Sequence, residues 1–141
     1  MRALFSPMLL TAIVACGPDV TVKMAENLPP DSVINSPTHE TVFAEGDVIQ
    51  FVGTVADPGG LDDIQTVSWT SSIDFELGTA ELSSPDSEGK TRVSTVLSPG
   101  THVITLGVVD LGGLAGTDSV TVTVSAAKQE PAAEILSPDN F

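Results

Sequence analysis

The sequence predicts an all-β protein that folds as an antiparallel β-sandwich of about seven strands. From Ser32 onward, short alternating runs rich in Val, Ile and Thr are separated by Gly, Pro, Asp and Ser. No segment of helical period competes with these runs. The predicted strands are Ser32–Asn35, Val48–Ala56, Ile64–Thr70, Asp74–Leu77, Arg92–Leu97, His102–Asp110 and Ser119–Ser125.

Alternation along each run predicts which face points into the core. Gly53 lies between the apolar residues of the second run, on the same side. Trp69 shares a face with Val67, and we expect its indole to pack in the core. The other predicted inward sets are Ile49, Phe51 and Val55; Ile104, Leu106 and Val108; and Val120, Val122 and Val124.

The first 15 residues have the layout of a secretion signal. A short positive start at Arg2 precedes an apolar stretch from Leu4 to Val14. That stretch is too short to span a bilayer, which needs about 20 apolar residues. We therefore predict a signal peptide over residues 1–15, directly before Cys16, the single cysteine of the chain. The alternative is an ordinary secretory signal with an incidental cysteine.

The segment Ile13-Val14-Ala15-Cys16 resembles the lipobox of bacterial lipoproteins. The resemblance implies cleavage before Cys16 and a diacylglyceryl thioether on its sulfur, usually with a third, palmitate-like acyl chain on the new amino group. Two or more acyl chains hold a protein stably on a bilayer. The resemblance thus implies a lipid-anchored protein of the bacterial cell envelope, and Gly17 after the cysteine favours the outer membrane.

Composition predicts a tether, one domain and the start of a repeat. Residues 16–30 carry the lipidated cysteine and a polar tether, residues 31–125 the sandwich, and residues 126–133 a linker. The segment from Pro30 to Pro37 matches that from Pro131 to Pro138 at four positions, each offset by 101 residues. Residues 134–141 are therefore predicted to begin a second copy, so that the chain is a fragment of a tandem array. Chance repetition is the alternative.

Charge excludes one class of partner. The chain has 5 Lys and Arg residues, no Tyr and a formal net charge of −14. This balance argues against nucleic-acid binding and predicts a solvated acidic surface that anionic lipid headgroups repel. Hydrophobic residues make up 41% of the chain, which is enough to form a core.

Three segments resemble PKD-like and related bacterial immunoglobulin-like repeats: residues 44–58, residues 97–110 and residues 116–124. The likeness covers residues 29–125. It implies an immunoglobulin-like sandwich used for extracellular adhesion, spacing or substrate presentation, without catalysis of its own. In these repeats a tyrosine follows the Ser-Pro-Gly-Thr corner, and here His102 takes its place. The resemblance implies that His102 forms a hydrogen bond back to the corner backbone.

Two acidic loops suggest a calcium site. Asp-Pro-Gly-Gly-Leu-Asp-Asp begins at Asp57, and Asp-Leu-Gly-Gly-Leu begins at Asp110. In a sandwich of this strand order the two loops lie at the same end. Calcium takes six to eight oxygen ligands, which flexible carboxylates supply. The alternative is that the Asp residues form Asx-turns. The candidate ligands are Asp57, Asp62, Asp63, Asp110 and Asp118.

No catalytic constellation is visible in the sequence. His39 and His102 are the only histidines, and no Cys, His or Glu cluster has zinc spacing. Nucleophile-elbow, P-loop and dinucleotide motifs are missing. The chain is therefore predicted to be a spacer, adhesin stalk or scaffold rather than an enzyme, with no cofactor besides calcium. The alternatives are a module that binds polysaccharide or protein, and the non-catalytic front part of a surface hydrolase.

Overall fold

The computed structural model describes residues 26–78 and 84–128. Eight strands and one turn of 3-10 helix (Leu61–Asp63) make up its regular structure within those ranges. None of the helical structure there is long and apolar enough to cross a membrane. The strands are β1 (Asp31–Ser36), β2 (Thr41–Ala44), β3 (Val48–Ala56), β4 (Ile64–Ser71), β5 (Phe75–Glu76), β6 (Lys90–Val96), β7 (Gly100–Asp110) and β8 (Ala115–Ser125).

The strands form two sheets. One has the order β1-β3-β6 and the other the order β2-β8-β7-β4-β5. Every neighbouring pair is antiparallel except β2 and β8, which pair in parallel from Thr41 opposite Val122 to Ala44 opposite Ser125. The all-β sandwich predicted from the sequence is therefore confirmed.

The strand prediction was wrong at several ends and in two further details. β8 begins at Ala115, four residues before its predicted start, and β6 covers Lys90–Val96 rather than Arg92–Leu97. β2 was not predicted, because four residues give little alternation and its parallel pairing with β8 is non-local. The predicted strand Asp74–Leu77 shrinks to Phe75–Glu76, because the Asp74 carboxylate turns away to bond the backbone and hydroxyl of Ser98. Leu77 remains tied to the sheet through its N–H, which donates to the Trp69 carbonyl at 2.8 Å.

The core lies between the sheets, as the alternation predicted. Trp69 and Phe51, on opposite sheets, are both 0% exposed, with ring centroids 6.0 Å apart. Gly53 leaves room for Trp69 and Leu106, because a Cβ there would lie 2.5 Å from Leu106 Cδ2 and 3.0 Å from Trp69 Cζ2. The buried apolar residues are Ile49, Phe51, Val55, Val67, Trp69, Leu77, Val93, Leu97, Ile104, Leu106, Val108, Val120, Val122 and Val124.

The chain enters and leaves the sandwich at opposite ends. Pro30 precedes β1, and its carbonyl oxygen packs against Gly116, where a side chain would collide with it. β8 runs about 33 Å, at 3.3 Å per residue, from Ala115 to Ser125, which pairs with Ala44. We call the end with Pro30 and Gly116 the proximal end, and the end with Ser125 the distal end.

Several predictions from the sequence lie outside the described residues. These are the signal peptide over residues 1–15, the lipidated Cys16 and most of the tether, and the repeated strand over residues 134–141. The last described residues of the chain stay at the distal end, where the N–H of Ala127 donates to Glu45 Oε2 at 2.8 Å.

Candidate functional site

The two acidic loops meet at the proximal end, as predicted from the strand order. One loop follows β3 and the other joins β7 to β8. The N–H of Leu111 donates to the carbonyl of Asp63 at 2.8 Å, which ties the loops to each other. The leading segment, residues 26–30, arrives at the same end.

Three of the five predicted carboxylates come together there. Asp57, Asp63 and Asp110 each place one carboxylate oxygen within 4.8 Å of the other two. Asp110 is completely buried, while Asp57 and Asp63 are half-buried. We call this group the acidic triad.

Asp57 is held by its own turn. Its Oδ1 accepts the N–H of Gly59 at 2.6 Å, and its carbonyl accepts the N–H of Gly60 at 2.9 Å, the Asx-turn that Asp favours. Its other carboxylate oxygen, Oδ2, is buried and has no hydrogen-bond donor among the described residues. Buried carboxylate oxygens normally have a donor or a cation, so this atom requires an explanation.

Asp110 joins the loop between β7 and β8 to the leading segment. Its Oδ1 accepts the N–H of Leu114 at 2.7 Å, and its Oδ2 accepts the side-chain amide of Asn27 at 2.9 Å. Sequence reasoning placed Asn27 in the tether and missed this contact. In the sequence, Asn27 is marked only by its position two residues before Pro29 and Pro30, which does not indicate a contact with Asp110.

A pocket adjoins the acidic triad. It has a volume of about 420 Å³. A Cβ at Gly59 would lie 2.7 Å from Asp63 Oδ2 and 3.0 Å from Asp57 Oδ1, so glycine is what lets these two carboxylates approach the same backbone. The pocket is lined by Glu26, Asn27, Leu28, Pro58, Gly59 and Asp63.

The other two predicted ligands lie outside the acidic triad. Asp62 is exposed on the 3-10 turn. Asp118 sits opposite Leu106 in the β7–β8 register, four residues and about 13 Å along the strand from Asp110. Its Oδ2 accepts the N–H of Ile34 at 2.7 Å, which joins β8 to β1 of the other sheet.

His102 forms the corner contact that the resemblance implied. Its Nε2 lies 2.7 Å from the carbonyl of Ser98, and its Nδ1 lies 2.8 Å from Ser71 Oγ. A carbonyl only accepts, so the ring proton is on Nε2. Ser71 Oγ already accepts the N–H groups of Ile73 and Asp74, and its hydroxyl proton therefore points to Nδ1.

This arrangement is not that of an activated nucleophile. His102 is 0% exposed and both of its nitrogens are engaged. Asp74 accepts the hydroxyl of Ser98 at 2.7 Å and its N–H at 2.8 Å. These bonds hold the pKa of the Asp74 carboxyl below its ordinary value, because they favour its charged form. The buried His102 ring therefore links the backbone of Ser98 at the corner to Ser71 of β4.

Comparison with known proteins identifies the fold. No protein-family model and no curated protein matches this chain. Among solved structures, fibronectin(III)-like modules of CbhA from Clostridium thermocellum align with a TM-score of 0.56 and 22% identity, over 73% of this chain and 50% of theirs. The chain has an immunoglobulin-like β-sandwich fold.

A second match is to the Z1Z2 domains of titin, solved in complex with telethonin. Its TM-score is 0.48 and its identity 17%, over 72% of this chain and 50% of the titin chain. The match spans half the length of both of these solved chains.

Proposed function

We propose that this protein is an exported, lipid-anchored spacer or scaffold module of the bacterial cell envelope, of the PKD-like kind that its sequence resembles. The observation that carries the proposal is the opposite placement of its two ends. A module that the chain enters beside Gly116 and leaves at Ser125 holds its neighbours apart by the length of β8. A structural module is consistent with the immunoglobulin-like fold.

The anchor is supported by the sequence before the sandwich. A lipid on Cys16 would leave about ten residues of polar chain before the leading segment contacts the domain at Asn27. The negative charge of the domain would repel it from anionic headgroups, so that it stands off the bilayer. Spacing from the membrane follows from these two features.

The anchor is tested by expressing the full chain in bacteria, separating membranes and measuring the mass of the amino-terminal peptide. We expect a membrane-bound protein that begins at Cys16 and carries the mass of its acyl chains. The matched control is Cys16→Ser, which is expected to lose both the added mass and the membrane association. Native protein with an unmodified cysteine in the soluble fraction would refute lipid anchoring.

The spacer role is tested separately on the acylated protein in a supported bilayer by neutron reflectometry. We expect a protein layer separated from the lipid by the tether and thick enough to hold β8 upright, about 33 Å. A thin layer lying directly on the headgroups would contradict spacing and leave the anchor intact.

A further inference from the structure

We propose that the acidic triad is a divalent-cation site that takes calcium and fastens the leading segment onto the sandwich. Asp57, Asp63 and Asp110 supply the charged oxygens. Asn27 and Glu26 of the leading segment lie on the approach to them.

The first support is charge. Three carboxylates with oxygens within 4.8 Å of one another repel unless a cation lies between them. No lysine or arginine of the described residues forms an ion pair with the triad: Lys90 pairs with Glu88, Arg92 pairs with Asp86, and Lys128 follows the distal end of β8.

The second support is independent of the clustering. Asp57 Oδ2 is buried and has no donor within the described ranges, although Oδ1 of the same carboxylate accepts a backbone N–H at 2.6 Å. A buried anionic oxygen without a donor is costly. A metal ion would satisfy it, as it satisfies ligating carboxylates generally.

The ligand chemistry selects the ion. All available donors are carboxylate and amide oxygens, the set that hard cations prefer, and the triad contains no His or Cys for zinc. Two oxygens that share one calcium at about 2.4 Å lie at most about 4.8 Å apart, and the three carboxylate oxygens of the triad lie within that limit. The adjoining pocket of about 420 Å³ gives room for the water ligands that complete a calcium shell.

The acidic triad lies where the leading segment, residues 26–30, meets the sandwich. The Asn27 side chain donates a hydrogen bond to Asp110, and Glu26 and Leu28 line the pocket together with Asp63. A bound cation would therefore hold the loop after β3, the loop after β7 and the leading segment together. The orientation of the sandwich on its tether would then depend on calcium.

Binding is tested by calorimetry and thermal unfolding of the full chain carrying Cys16→Ser, with calcium chloride and magnesium chloride as the probes. We expect one calcium per chain, a rise in Tm at millimolar calcium by mass action, and weaker binding of magnesium. Absence of heat and of any Tm change at millimolar calcium would overturn the site, whatever the variants do.

The variants compare acidic residues inside the acidic triad with acidic residues outside it. Asp57→Asn and Asp63→Asn are expected to lower calcium affinity about tenfold or more, since each removes a charged ligand. Asp62→Asn and Asp118→Asn are matched controls from the same predicted set, and both should bind calcium like the parent chain. Equal losses in all four variants would assign the effect to net charge and overturn the assignment.

Fastening is tested by hydrogen exchange at the amides of residues 26–30, with and without calcium. We expect calcium to slow exchange there at least tenfold, and Asn27→Ala to reduce this protection. If calcium binds but exchange in the leading segment is unchanged, the site stands and the fastening is refuted. Neither result bears on the anchor, which the mass of the Cys16 peptide decides.

Discussion

Trp69 and Thr91 join the two sheets through a hydrogen bond inside the core. The indole Nε1 donates to Thr91 Oγ1 at 3.0 Å, and both residues are 0% exposed. Trp69 belongs to β4 and Thr91 to β6, which lie in different sheets. The bond allows a tryptophan to be buried without leaving its one polar atom unsatisfied.

Thr91→Val should destabilise the protein by about 1–3 kcal/mol. The substitution keeps the volume of the side chain but removes the oxygen that receives the buried indole N–H. Thr117→Val, on the exposed face of β8, is the control and should change stability by less than about 0.5 kcal/mol. Urea unfolding followed by Trp69 fluorescence measures both. Equal stability of the two variants would mean that the indole bond contributes nothing.

Gly53→Ala should destabilise the protein by about 1–3 kcal/mol through overpacking. The new methyl group would lie 2.5 Å from Leu106 Cδ2, so either the indole or the leucine has to move. A double-mutant cycle with Leu106→Ala measures the cause, because removing the leucine side chain makes room. The double variant should lose less unfolding free energy than the sum of the losses in the two single variants. Strict additivity of the two losses would contradict the steric explanation.

Substitution of the two histidines, His102 and His39, should change the free energy of unfolding by different amounts. His102→Leu removes the bonds to Ser98 and Ser71 inside the core and should cost about 1–3 kcal/mol. His39 is exposed, and its one hydrogen bond among the described residues is accepted from the N–H of Thr121 at 3.1 Å, which water can replace. His39→Leu should therefore change stability by less than about 0.5 kcal/mol. Chemical unfolding at pH 8 compares them, and a loss as large for His39→Leu would refute the corner role of His102.

Asp74 should make the fold sensitive to acid. The Ser98 hydroxyl and N–H lower the pKa of Asp74 in the folded state, so its stabilising effect is present above the unfolded-state pKa of about 4. The effect is lost as pH falls through the lower folded-state pKa. Unfolding free energies of Asp74→Asn between pH 6 and pH 2 should thus decline less than those of the native chain.

The control for that titration is Glu76→Gln, which removes an exposed acid from the neighbouring strand β5. Its acid profile should parallel that of the native chain. A profile of Asp74→Asn that also parallels the native one would show that the Ser98 contacts do not carry the acid sensitivity.

Strand faces were predictable because period-two alternation is a local property. Ile104, Leu106 and Val108 point inward as the alternation required, since each is 0% exposed. The meeting of the two acidic loops was also predictable, because it follows from strand order alone. Trp69 was predicted as a core residue because it shares a strand face with Val67 and because immunoglobulin-type sandwiches have a core tryptophan at the corresponding place.

Other features depended on pairs of residues far apart in the chain. β2 exists because Thr41 finds Val122 in parallel register, which no local pattern indicates. Asn27 reaches Asp110 across 83 positions, and this contact makes the leading segment part of the proximal end.

The positions of the acidic residues were partly predictable from the sequence, whereas the distances between their side chains were not. The sequence by itself determined that Asp57, Asp63 and Asp110 flank two loops at one end, since loop position follows from strand order. Only the tertiary structure decided that Asp118 lies about 13 Å away, bonded to Ile34, while Asp57 keeps a buried oxygen without a donor. The physical reason is that strand register and loop closure set distances between side chains, and composition does not.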